Sequence, residues 1–361
     1  MILPDPDSNV TSEGLASARQ LRDHLRIIFI SNVAHRSRLS YDFSCHSITT
    51  DFFTESEHTD ILNAFQDFGF YVSDYIEEEE FLYDIVNARL GKPRAHDLVY
   101  STAQRPYGAG RTALIPALCR LYGLHFCNSD PQAAALARHK YQIQKLLEVH
   151  RVPSPRTWLY RENDGWLGGN RPRNGESVII KTTYEAASIG IDEHAIRTVD
   201  DDIEMFLTER ASMFEQPLTV QEFVAGYEAE VPILESTNPE ALGVAGIELD
   251  GTSCLGDAAL LYDIVDRDAY KFFDFTSVDP DLSDHMKHIA VNVFKIVGLS
   301  GVGRVDFRID RNGRAFVTDV TDNPHMTQHG ACASVGQWLG LTYAQTLALM
   351  IGANARRIGL A

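Results

Sequence analysis

Gly303-Arg-Val-Asp306-Phe-Arg-Ile-Asp310-Arg-Asn-Gly313-Arg-Ala-Phe-Val-Thr-Asp319-Val-Thr321-Asp-Asn-Pro-His325-Met-Thr327 is the stretch whose reading decides the fold. Two apolar runs of alternating character flank Asn312-Gly313, a strong local signal for a β-hairpin. Each strand carries a carboxylate that the alternation does not require, Asp306 on the first and Asp319 on the second. Oxygen ligands on paired strands suit Mg²⁺, which binds a few carboxylates and keeps its other positions for water and phosphate oxygens. Arg304 stands two residues before Asp306 and shares its strand face. A fixed cation beside such a pair fits a site that stabilises negative charge in phosphoryl or acyl transfer.

The chain has 361 residues, which predicts two or three domains. Its 44% hydrophobic and 10% aromatic content is enough for real cores. No apolar run approaches the roughly 18 residues of a membrane span, and Met-Ile-Leu-Pro-Asp-Pro-Asp-Ser does not read as a secretory signal. Cys45, Cys119, Cys127, Cys254 and Cys332 are scattered and odd in number, which predicts reduced thiols in a cytoplasmic protein. A formal charge of −18 excludes nucleic acid as a partner. It leaves room for a nucleotide where local cations line the phosphate site.

Residues 1–24, with Pro4, Pro6 and Gly14, read as a flexible arm ending in a short helix. Strands and helices alternate from residue 25 to 139, which predicts a parallel sheet covered by helices. The segment 35–53 shows no period that places it. A change of style follows: a central lobe over 140–228 and a C-terminal lobe over 229–361, with 251–282 irregular. Val178-Ile-Ile-Lys181 runs into the small-residue loop Thr183-Tyr-Glu-Ala-Ala-Ser-Ile-Gly190. A lysine at a strand end beside such a loop reaches phosphates while backbone N–H groups cover them. With little to bury, the loop 183–190 is expected to be mobile. In Val220-Gln-Glu222-Phe-Val224-Ala-Gly-Tyr-Glu228, an apolar strand entering Ala-Gly presents main-chain groups to a flat base, with Glu228 placed for ribose hydroxyls.

Taken in order, Lys140, strand–Lys181–loop, Glu-Phe-Val-x-Gly-x-Glu, Gly-Arg-Val-Asp and Asp-x-Thr-Asp-Asn-Pro resemble the ATP-grasp superfamily, and within it the D-alanine–D-alanine ligases, from about Leu98 to the C-terminus. The resemblance implies α/β and α+β architecture: an N-terminal parallel-sheet domain, a central lid domain and a C-terminal metal-binding domain. It implies ATP and Mg²⁺, small-molecule acid and amine substrates, no membrane partner, and a homodimer. Lys140 and Lys181 match the lysines on the nucleotide phosphates and Ser188 the lid loop. Glu222 and Val224 match the adenine-reading main chain and Glu228 the ribose ligand. Asp306 and Asp319 match the metal ligands, with Thr321 at the third metal position and Asp322 or Asn323 as alternatives there. Arg304 and the backbone N–H of His325 match the groups that stabilise the tetrahedral intermediate, and Arg267 or Lys271 the γ-phosphate lysine.

The substrate half departs from the family pattern. Ser31-Asn-Val-Ala-His35-Arg36 stands where a Gly-rich opening is expected. Ala187 and Gly330 replace the two serines that hold the two D-alanines. Gly330 is expected to leave extra volume. Arg36, Arg38, His35 and Arg105 are the N-terminal cations available to an acidic donor. The expected function is an ATP-dependent carboxylate–amine ligase working through an acyl phosphate in specialised metabolism, not D-Ala-D-Ala synthesis. The alternative is a non-catalytic ATP-binding protein on the same fold.

Overall fold

Leu25–Ile30 is apolar at every position but Arg26 and is buried on both faces, so it needs cover on both sides. It lies inside a parallel sheet ordered Tyr71–Tyr75, Leu25–Ile30, His96–Ser101, His125–Phe126. On one face Ile28, Ile30 and Val99 meet Phe81 and Ile85 of the helix Glu78–Val86 and Ile115 and Cys119 of Leu114–Tyr122. On the other, Ile27, Phe29 and Tyr100 meet Ile61 and Phe65 of Glu55–Phe68 and Leu347 and Ile351 of Tyr343–Arg357. The last helix of the chain therefore completes the first core. The computed structural model describes residues 10–91 and 96–361.

Residues 10–21 are not an arm. They form a helix whose Val10, Leu15, Ala18 and Leu21 are buried against Tyr343–Arg357. Their near-helical spacing is the stripe that buries them. The part of the expected arm in residues 1–9 lies outside the described residues.

A second sheet is antiparallel, ordered Gly165–Trp166, Thr157–Arg161, Leu218–Glu222, Ser177–Thr182, Ile196–Thr198, and is backed by the helix Ile203–Met213. A third runs Lys271–Asp274, Ala245–Glu248, Gly226–Glu235, Val302–Ile309, Ala315–Thr321. The helix Pro280–Val297 covers it, capped by Asp279 with Pro280 at the first turn. Two expected boundaries shift. The helix Lys140–Val149 buries Ile143 and Leu147 in this third core, and the strand holding Glu228 already belongs to the third sheet. The stretch 251–282 contains the strands Cys254–Gly256 and Lys271–Asp274 and the helix Tyr262–Asp266.

The hairpin is present, but its turn is not the two-residue Asn-Gly form. Asp310 N–H donates to Arg314 O and Gly313 N–H to Asp310 O, both at 3.0 Å, and only Gly313 has a positive φ, +72°. The Asp310 carboxylate accepts the N–H groups of Asn312 and Arg314, which makes a three-residue loop cheaper here than a primed turn. No helix among the described residues is long and apolar enough to cross a membrane.

The crossing of the first and last helices yields a test. A Cβ on Gly352 would lie 1.9 Å from Gly14 O and 2.7 Å from Ala18 N. Helix propensity alone makes Gly→Ala stabilising by about 1 kcal/mol. Gly352→Ala is instead expected to destabilise by about 1–3 kcal/mol through overpacking, read as a lower urea midpoint at unchanged slope.

Candidate active site

The three sheets enclose a cleft of about 660 Å³. Its floor is set by strand register. Glu230 lies opposite Asp306, and Asp306 opposite Asp319, so three carboxylates stand in a row across three neighbouring strands. Like charges directly opposite one another destabilise a sheet unless cations intervene. Arg304 does so: its Nε and Nη2 each donate to an Asp306 oxygen at 2.8 Å, and its Nη1 lies 3.0 Å from Glu230 Oε2. Arg308, two residues past Asp306 on the same face, holds Glu228 at 2.8 Å and also donates to the carbonyls of Val224, Gly256 and Ala258.

The compensation is incomplete. Burial raises the carboxyls of Glu230 and Asp306, Arg304 draws them down, and the neighbouring carboxylates push them back up, leaving both above the ordinary range. Glu230 Oε2 makes no hydrogen bond of good geometry. Asp319 Oδ2 lies 3.8 Å from Lys140 Nζ. A hard cation suits this oxygen set. Among the described residues no three acidic, His or Cys side chains converge to hold a metal by themselves. A Mg²⁺ here would take one or two of the carboxylates and complete its shell with water and phosphate. Thr321 and Asn323 line the cleft beside Asp319, and Asp322 does not. Strand alternation continues to the end of this strand and turns Asp322 inward, where burial lifts its carboxyl to about 7.

Lys140 opens its helix, and its ammonium donates to the Glu185 carbonyl. Lys181 Nζ donates to Gln221 Oε1 at 3.1 Å. Both line the cleft, with Ser188, Glu222, Val224 and Glu228. Glu222 pairs with Arg156 at 3.0 Å, and its N–H goes to Arg156 O. Ala187 and Ser188 have φ of +48° and +54°, two consecutive left-handed residues costing on the order of 1 kcal/mol each. The Ser188 hydroxyl donates to Leu260 O at 2.8 Å.

Several expectations fail. Arg267 is exposed, its Nε on Asp263 O at 2.8 Å, because the short helix Tyr262–Asp266 turns Val265, Asp266 and Asp268 to the cleft instead. Lys271 is also exposed and lies off the cleft. Arg36 pairs with Glu55, Arg38 with Glu77 and Arg105 with Glu78 and Glu79, so of the expected N-terminal cations only His35 lines the cleft. Gly330 leaves no extra volume. A Cβ there would meet His325 O at 3.0 Å and Thr327 Oγ1 at 3.3 Å. The His325 imidazole sits 3.5 Å from Asp51.

The loop 183–190 is not a bare flap. Thr183, Glu185 and Ile189 are buried. Glu185 accepts from Arg111 Nη1 at 2.7 Å, Gln216 Nε2 at 3.0 Å and Tyr41 OH at 3.3 Å. The unplaced segment 35–53 is a strap laid over this lid. His46 Nδ1 accepts Gly190 N–H at 2.8 Å, and its ring stacks on Tyr262 at 3.9 Å. Tyr262 OH in turn accepts from Ser47 N–H and Thr50 Oγ1, both at 3.0 Å. Sequence reasoning missed Arg111, Arg138, Asp51, Glu185, Glu230 and Arg308. Only the last two carried a signal, the two-residue spacing that puts them on the faces of Glu228 and Asp306.

Residues 162–352 match the family model described as D-ala D-ala ligase C-terminus. A D-alanine–D-alanine ligase of Bordetella avium is 26% identical over 241 residues, 65% of this chain and 72% of the relative. A second, from Bordetella petrii, is 23% identical over 262 residues, 73% of this chain and 77% of the relative. Among solved structures, the D-alanine–D-alanine ligase of Bacillus anthracis complexed with ATP has a TM-score of 0.66 at 14% identity, covering 93% of this chain and 99% of that one. The VanG D-Ala:D-Ser ligase of Enterococcus faecalis has a TM-score of 0.64 at 17% identity, covering 92% and 99%.

The strap predicts a pH effect. Burial and Arg210 hold His46 below the ordinary 6.5 against the opposing pull of Asp192, Asp263 and Asp266, so it is neutral when it accepts Gly190 N–H. A His with a depressed folded value contributes its stability fully above the unfolded value, and loses it as pH falls below that value. The protection factor of the Gly190 amide is therefore expected to fall severalfold between about pH 7.5 and about pH 5.5. His46→Gln is expected to remove that dependence. A protection factor independent of pH in the natural chain contradicts the strap.

Proposed function

This chain belongs to the D-ala D-ala ligase C-terminus family, and on that premise we propose that it is an ATP-dependent ligase joining a carboxylic acid to an amine other than a second D-alanine. The observation that carries this reading is the carboxylate row Glu230, Asp306 and Asp319 with Arg304 and Lys140 set against it. Asp306 and Asp319 would hold Mg²⁺, with Thr321 and Asn323 beside them. When bound, the ion offsets phosphate charge and aligns the γ-phosphate. Lys140 and Lys181 reach the phosphates, and Glu228 takes the ribose. The base lies against Ile179, Phe223 and Leu260 beside Val224.

In this chemistry a carboxylate oxygen attacks the γ-phosphorus and ADP leaves. The amine nitrogen then attacks the acyl carbon, and phosphate departs with the C–O electron pair. Arg304 and the His325 N–H stabilise the oxyanion that develops between these events. The lid and its strap keep water from the activated acyl group.

The acceptor side supports a substrate other than D-alanine. Gly330 offers no hydroxyl for a carboxylate, and a Cβ there would press on His325 O at 3.0 Å. Glu57, Asp60 and Asp268 also line the cleft, and His329, next to Gly330 in sequence, is held between Glu57 at 3.0 Å and Asp268 at 3.7 Å. A wall this acidic opposes a second carboxylate and accommodates an ammonium precursor.

Screening acid and amine pairs for ADP release is the direct test. D-Alanine alone at millimolar concentration is expected to give negligible ADP and no dipeptide, while another pair turns over. Efficient D-alanyl-D-alanine synthesis would overturn the substrate reading. With the active pair in hand, Asp306→Asn and Asp319→Asn are each expected to lower kcat at least about a hundredfold, with an unchanged far-UV CD spectrum.

A further inference from the structure

The cleft wall built by Arg138, Gln104 and Asp51 has the chemistry of an anion site. We propose that it recognises a second acidic group on the acid donor, making the donor a small dicarboxylic acid or acidic amino acid; this rests on the ligase reading above. Arg138 ends the helix Pro131–Arg138, whose inward positions are otherwise alanines, and it is only 9% exposed although it lines the cleft. A buried guanidinium needs acceptors for its five N–H groups. Arg138 Nη2 donates to Asp51 Oδ2 at 2.7 Å and to Gln104 Oε1 at 2.6 Å. Its Nε is buried with no partner, and its Nη1 makes no hydrogen bond among the described residues.

Asp51 does not complete the fork. Its carboxylate is shared with Arg111 Nη2 at 3.1 Å and faces His325 Nε2 at 3.5 Å. Arg111 has a carboxylate of its own in Glu185, and among the described residues Arg138 has no other. Arginine binds carboxylates best through two parallel N–H donors, a geometry that Asp51 meets at one nitrogen only. Arg105, Arg111, Arg210 and Arg357 also have an Nε that makes no hydrogen bond, but none of them lines the cleft. Among these arginines Arg138 alone presents its side chain to the cleft.

Position assigns the ligand to the donor. Arg138 is two residues from Lys140, and its partner Asp51 touches His325, so the site adjoins the proposed acyl centre. One acid group would react while the other sits on Arg138.

Calorimetry with Mg²⁺ and a non-hydrolysable ATP analogue tests the site without turnover. Dicarboxylates of three to six carbons are expected to bind, and matched monocarboxylates to bind about 10- to 100-fold more weakly. Arg138→Met should remove that preference and leave affinity for the nucleotide analogue unchanged. Arg138→Lys, which keeps the charge but loses the fork, should give an intermediate loss and serves as the test if the Met variant does not fold. Equal binding of both acid classes by the natural chain, or a preference left undiminished by these substitutions, overturns the site. ADP release from monocarboxylates as efficient as from dicarboxylates overturns the site while leaving the ligase reading intact. An Arg138-dependent preference with no ADP release from any pair supports the site and overturns the ligase reading instead.

Discussion

Three acidic side chains in register across three adjacent strands are a burden on any sheet, and the arrangement of this cleft follows from how that burden is carried. Glu230, Asp306 and Asp319 repel one another at the spacing of neighbouring strands, and burial raises the cost of charging them. Arg304 bridges the first two, and Lys140 approaches the third from a helix that packs beneath the same sheet. The register itself is locked by Val305 and Phe307 on one strand and Val320 and Val317, either side of a bulge, on the next, all buried on the core side. A one-residue slip would send the carboxylates into that core and the valines into the cleft. Hydrophobic packing on one face thus holds an unfavourable charge row on the other, and that row is what a phosphate-bound cation would relieve.

The roof is joined to this floor through the N-terminal strap. Glu185 in the lid, Arg111 beside the parallel sheet, and Tyr41 and Asp51 in the strap form one buried polar chain. Each charge in it has an opposite partner, as buried charges require. Asp51 then continues to Arg138 and His325 at the cleft wall. Closure of the lid and the shape of the substrate wall therefore share one carboxylate.

Much of this was legible in the order of residues. The hairpin, its two aspartates and Arg304 follow from alternation around Asn312-Gly313, and the parallel sheet from alternating apolar runs and helices. Lys181 stood out as a lysine at a strand end, and Lys140 through the order of blocks that carries the family resemblance. What sequence could not carry was long-range. The helix Val10–Leu21 looks polar until the last helix supplies the surface that buries its stripe. Arg111, Arg138 and Asp51 lie far apart in sequence and become a group only when the strap crosses the cleft. The extra space expected at Gly330 was misjudged because a missing side chain says nothing of how near the backbone of His325 comes. Arg267 was misplaced because one short helical turn decides which of its residues face inward.

Transfer of oxygen from the donor to phosphate tests the central claim, a ligase acting through an acyl phosphate, most directly. A donor acid labelled with ¹⁸O in both carboxylate oxygens is turned over with ATP and its amine, and the released phosphate is read by mass spectrometry. The account predicts one ¹⁸O in each phosphate released, because the attacking carboxylate oxygen leaves with phosphorus. Unlabelled phosphate accompanying amide formation would contradict it.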